Sequence, residues 1–307
     1  MKSKAELIYI YPYDAREWMR QIVHSPSFWL PSAPLVDRLA AWWCEEHEDI
    51  DAWGGIEKTK RIGYGFEKLV IRFVELSPYL SLFKANWVLY ENKISIGELD
   101  LIVETPEGVE HWELGLKFYL YDVVSDCFIG SNGRDQLHLK LEKIRDRQMP
   151  LIEHEQVRTW QIDWNIQSIK SSPLVVGRLF YPWSATVGSS FLDAELDLDR
   201  MLRGVWLTVS QWNDYAAHHR AKGRQLFRLE RYHWMLTDVS PWLREEALIE
   251  SSQNIFQGVV LGESEAGRSA KGRHAHGEFG LDGRFDEIER FYLVRDDWPA
   301  VVKWNGC

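Results

Sequence analysis

Between residues 96 and 120 the chain reads IGELDLIVETPEGVEHWELGLKFYL, and its apolar and polar positions alternate in two runs. In the first run Leu99, Leu101 and Val103 share one side, and Glu98, Asp100 and Ile102 the other. In the second, Trp112, Leu114, Leu116 and Phe118 oppose Glu113, Gly115, Lys117 and Tyr119. A period of two predicts strands. Thr105-Pro106-Glu107-Gly108 between them supplies turn residues. A hairpin closed there sets residue 104 against 109 and, counting back, Asp100 against Glu113. Helical spacing surrounds this pair. Helices are predicted from Asp14, over 34–48, over 61–77 (Ile62, Phe66, Leu69, Val70 and Phe73 on one face) and over 134–148 (Leu137, Leu141, Ile144). Residues 86–91 and 174–181 read as strands, and 121–133 as a loop.

From 61 to 182 the predicted order is therefore α-β-β-β-α-β, an α/β arrangement in which helices flank a mixed sheet. Residues 1–60 form an N-terminal helical segment. Residues 183–307 form a C-terminal α+β extension packed on the core, with strands expected near 205–210, 225–235 and 288–294 and a helix near 243–250.

Directly opposed residues of an antiparallel pair point to the same side, with Cβ atoms roughly 5 Å apart. Two carboxylates at that spacing repel unless a proton or cation separates them, and a hard divalent metal wants such oxygen ligands. Lys117 lies further along the strand and face of Glu113. On the helix, Glu67 falls between Val74 and Ile71 at the inward edge, where a carboxylate needs a partner: a backbone N–H, an arginine, or the same metal. A solvated sheet face offers acid–acid and acid–lysine neighbours too.

In 134–148, Arg134, Lys140, Lys143, Arg145 and Arg147 outnumber the acids and Gln148 falls on the apolar stripe. Such a helix faces either a phosphate backbone or solvent. Arg220, Lys222, Arg224, Arg228 and Arg231 interleave with Phe227, Tyr232 and Trp234, a composition that suits single-strand stacking or a packed sheet edge. Residues 262–283 read as a Gly-rich loop, and its His274 and His276 lack identifiable co-ligands.

The net charge of −10 over 307 residues excludes a uniformly basic nucleic-acid binder and leaves a local basic groove open. The 16 tryptophans suit stapling between layers. Cys44, Cys127 and Cys307 form no CxxC pair, so reduced thiols and a cytoplasmic location are expected. No leader pattern and no run of 18 apolar residues occurs, so no membrane association is expected.

The order of elements, with Glu67, Asp100, Glu113 and Lys117, resembles the PD-(D/E)XK nuclease core. More closely, the chain resembles an uncharacterised bacterial family, domain of unknown function 1853, grouped with that superfamily. The segments that carry this are IGYGFE at 62–67, GELD at 97–100, HWELGLKFYL at 111–120, GRD at 133–135 with LKL at 139–141, and GRLFYP at 177–182. The resemblance implies a restriction-endonuclease-like fold and a Mg²⁺- or Mn²⁺-dependent nuclease acting on DNA or RNA. Asp100 and Glu113 would be metal ligands, Glu67 the helix acid, and Lys117 the group that stabilises charge or orients water. Arg134, Lys140 and Gln148 would meet nucleic acid. One position departs from the pattern. The superfamily sets its lysine two residues after the acid, and here that slot holds Gly115. A β-bulge near Gly115 would shorten the gap from Glu113 to Lys117, or Glu98, across the hairpin from Gly115, would be the second acid. The alternative is an inactive nucleic-acid-binding or protein-interaction module on the same fold.

Overall fold

Alternation along the hairpin and its polar turn give the chain its longest paired strands. In a computed structural model, β1 (Ser81–Glu91), β2 (Ile94–Thr105) and β3 (Gly108–Asp122) form an antiparallel meander. Pairing of β2 with β3 runs from Thr105↔Gly108 to Leu101↔Trp112 and includes Glu104↔Val109, the register that the turn predicts. The structure describes residues 12–24, 35–43, 50–56, 61–133, 135–183, 202–236, 256–263 and 285–298.

These residues divide into two compact units, and among the described residues the chain passes between them at 117/118, 137/138 and 177/178. The first unit holds α1 (Pro12–Val23), α2 (Leu35–Trp42), α3 (Ile62–Leu76), the meander as far as Lys117, most of α4 (Leu137–Lys143), α5 (Glu155–Asp163) and the start of β5 (Ile169–Pro182), which follows β3 in the strand order. Helix α3 buries Phe66, Leu69, Val70, Phe73 and Val74, its predicted apolar face. A second core joins Leu89, Leu99, Ile102, Val157 and Ile169. Trp42 stacks on Trp112, and Trp43 on Phe73, so tryptophans do bind helix to helix and helix to sheet here.

The second unit takes β4 (Cys127–Gly130), antiparallel to the end of β3, and the end of β5. Beside β5 lie β6 (Leu202–Thr208), β9 (Phe285–Val294), β8 (Phe256–Glu263) and β7 (Gln225–Arg228), in that order. Pairing is parallel from β5 through β6 to β9 and antiparallel from β9 to β7. Helix α6 (Trp212–Arg220) packs Trp212, Tyr215 and Ala216 against Phe291 and Leu293. The fold is thus α/β, with a mixed sheet flanked by helices.

Several elements differ from expectation. β1 starts at Ser81 rather than 86, and β5 at Ile169 rather than 174. The 121–133 segment is not all loop, because Cys127, Phe128 and Ile129 are buried as β4. The predicted 134–148 helix begins at Leu137, and after Lys143 it widens into a π-helical turn over Ile144–Gln148. Helix α5, unforeseen, is capped by the His154 side chain, which accepts from Gln156 N–H. The 225–235 strand breaks after Arg228 into a 3₁₀ turn. Phe227 and Tyr232 are buried there, so they are core residues and not stacking platforms. Cys127 is in a disulfide, which corrects the expectation of reduced thiols. Arg134, the expected helix at 243–250, His274 and His276 lie outside the described residues. No helix among the described residues is long and apolar enough to cross a membrane.

Candidate functional site

The hairpin register fixes the site. The paired register ends at Leu101↔Trp112, and Asp100 of β2 and Glu113 of β3 are the next residue on each strand; the charge of Asp100 is felt at Glu113. Asp100 Oδ2 accepts the backbone N–H of Leu114 at 2.7 Å. Glu113 is almost wholly buried, at 1% exposure. Its Oε1 accepts from the amide Nε2 of Gln148 and lies 3.9 Å from Lys140 Nζ. Lys140 in turn donates to Gln148 Oε1 at 2.9 Å. Both reach in from α4 and the π turn to one carboxylate.

The electrostatics show how close the acids stand. Burial lifts the Glu113 carboxyl to about 8, helped by the charges of Asp100 and Glu67, while Lys140 and Lys143 oppose the rise. Burial lifts Asp100 to about 6; the Leu114 N–H pulls it down and Glu98 pushes it up. Glu67, half-buried on α3, is raised to about 7 by burial and then by Asp100 and Glu98. Desolvation also lowers Lys140, with Lys117 and Lys143 adding to it and Glu113 opposing. Three elements thus place Glu67 and Glu113 within the field of Asp100. Glu98 joins that field from an exposed position.

Gly115 occupies the slot where an acid was expected. A Cβ there would stand 3.1 Å from Val175 Cγ1. Val175 of β5 would have to give by a few tenths of an ångström to admit any side chain there. Lys117 is half-buried, and its backbone is pressed by Gly177. Gly177 has φ +149, and a Cβ on it would overlap the Lys117 carbonyl. That close approach fixes the main chain of Lys117, and its charge is felt at Lys140.

Sequence reasoning missed His111, two residues before Glu113 on the same face of β3. It is fully buried, and burial holds its ring neutral, with a midpoint near 4. Its Nδ1 lies 2.8 Å from Ser171 Oγ, a contact 60 residues away in sequence that no local pattern signals. Its Nε2 lies 3.9 Å from Glu113 Oε2. Neither of these two buried atoms has a hydrogen-bond partner.

Among the described residues, no group of three or more His, Cys, Asp or Glu side chains is gathered around a common metal position. Gln148 and Leu114 N–H hold oxygens that a metal would claim. The chemistry of the donors nevertheless fits a cation. Two glutamates whose affinity for protons is raised by the charge of Asp100, and an orphaned Glu113 oxygen, would all be relieved by positive charge. The family described as Domain of unknown function (DUF1853) matches residues 15–267. No curated protein and no solved structure matches the chain.

Proposed function

From a chain that belongs to the DUF1853 family, whose description states no activity, we propose a metal-dependent hydrolase of phosphodiester bonds in DNA or RNA. The observation that carries this reading is that Glu67, Asp100 and Glu113, from one helix and two neighbouring strands, lie close enough for the charge of Asp100 to raise both glutamates. The resemblance of the α-β-β-β-α-β order and of HWELGLKFYL to the PD-(D/E)XK core supports it. Asp100 and Glu113 would hold Mg²⁺ or Mn²⁺, and Glu67 would join directly or through water. A divalent ion in such a site makes bound water more acidic and offsets charge on a phosphate. Lys117, held in place by Gly177, would donate to the attacked phosphate or orient the water. Lys140 and Gln148 hold Glu113 in the resting protein, and Lys140 would turn to phosphate when nucleic acid arrives.

A second reading, binding without turnover on the same fold, is favoured by two observations. Val175 crowds the position of the missing acid, and Glu113 is engaged by Gln148 and Lys140. One experiment separates the two. Wild type, Asp100→Ala and Lys117→Ala are incubated with single- and double-stranded DNA and RNA in Mg²⁺ or Mn²⁺. The nuclease reading expects metal-dependent cleavage by wild type and a loss of roughly 100-fold or more in each variant. Equal cleavage by all three removes these residues from the chemistry. Absence of cleavage, with nucleic-acid affinity that falls steeply with salt, supports the binding module.

A further inference from the structure

His111 carries chemistry that the three acids leave unused. Ser171 Oγ donates to the carbonyl of Met149 at 3.0 Å, and a hydroxyl has only one hydrogen. Toward His111 Nδ1, 2.8 Å away, the oxygen can then only accept. So Nδ1 carries the ring proton, and Nε2 is a bare lone pair.

That lone pair points at a second one. Nε2 and Glu113 Oε2 stand 3.9 Å apart, both buried, and neither has a hydrogen-bond partner. With Glu113 ionised, two acceptors face each other in a dry place and each loses its hydration with no return. A group that accepts electron pairs from both resolves this, and a movement of about an ångström would bring both within bonding distance of one ion. The far side of the ring is built as a metal-binding histidine requires. Its other nitrogen is tied through Ser171 to a backbone carbonyl, which fixes tautomer and ring plane.

We infer that His111 Nε2 and Glu113 Oε2 are paired ligands of a first-row transition cation. The inference rests on the metal reading above and narrows it. An imidazole nitrogen among carboxylates shifts preference away from Mg²⁺ and toward Mn²⁺ and the metals after it.

The test is a titration of the full-length protein with Mn²⁺ alone, followed by electron paramagnetic resonance with spin-echo detection of nitrogen coupling. Bound Mn²⁺ in wild type is expected to show coupling to an imidazole ¹⁴N, and Mg²⁺ to displace it only in large excess. His111→Asn keeps an amide N–H for Ser171 and removes Nε2. It is expected to lose the coupling and to bind Mn²⁺ roughly tenfold more weakly or worse. Should that variant fail to fold, His111→Gln serves in its place, and coupling must already be present in wild type. Mn²⁺ bound without nitrogen coupling, or coupling that survives in the variant, overturns the role of His111 and leaves a carboxylate site standing. No binding of Mn²⁺ by wild type at millimolar metal overturns both readings.

Discussion

Replacing Glu113 by glutamine removes a charge from the most buried point of the carboxylate cluster, and the structure sets the size of the effect. The Glu113 carboxyl moves from an ordinary 4.5 to about 8 on folding, because burial and the neighbouring Asp100 disfavour its ionised form. A raised folded-state value contributes stability that is complete below the unfolded value and is lost as pH rises through the folded one. Between pH 4.5 and about 8 the fold must hold a proton that the unfolded chain has released. At pH 7 that costs about 3 kcal/mol, with no discount for screening since the side chain is buried. A glutamine at this position would keep an oxygen acceptor for Gln148 and Lys140 without this cost. Glu113→Gln is therefore expected to match wild type near pH 4.5 and to exceed it by about 2–3 kcal/mol at pH 7. Urea unfolding of both proteins across this range, in chelator and followed by tryptophan fluorescence, reads the difference directly. An offset that does not change with pH would refute the account of Glu113 as a buried acid held among like charges.

Two further outcomes follow from contacts away from the cluster. Gly177→Ala forces a Cβ into the Lys117 carbonyl at φ +149, so the variant is expected to lose more than about 4 kcal/mol; a thermal melt that matches wild type would contradict the described backbone. Arg38 on α2 grips Glu110 with two bonds, of 2.5 and 2.8 Å, and burial alone would raise that acid, yet the Arg38 bonds hold it below its ordinary value. Arg38→Ala is expected to cost about 3 kcal/mol at pH 7; the loss should shrink as pH falls through the Glu110 midpoint, because a depressed value contributes stability only above it, and melts at neutral pH and in mild acid show whether it does.

The hairpin was legible because both of its determinants are local. Alternation names the strands, and Thr105-Pro106-Glu107-Gly108 sets the offset that runs from Thr105↔Gly108 to Leu101↔Trp112. The inward lean of Glu67 was legible from helical spacing in the same way. Helix α5 was not, since only Val157 of its nine residues is buried and the apolar signal is thin. Nor was β4, a four-residue strand that owes its existence to pairing with β3. The basic, aromatic run at 220–234 shows the limit of composition. Phe227 and Tyr232 turn inward while Arg228 and Arg231 face out, and the order of letters alone does not separate those sides. Contacts that complete the site, Gln148 to Glu113 and His111 to Ser171, join positions 35 and 60 residues apart. Only the folded chain brings them together.

The wide turn at Ile144–Gln148 has one more consequence. In a regular α-helix, side chains eight residues apart diverge by roughly 80° around the axis. Lys140 and Gln148 are eight apart, yet they meet at 2.9 Å and address the same carboxylate. The extra residue accommodated by the turn takes up that angle. The number of residues between the two is thus as much a specification of the site as their identity. A single insertion or deletion inside this short stretch would swing the amide away from its acid while leaving every named side chain in the sequence.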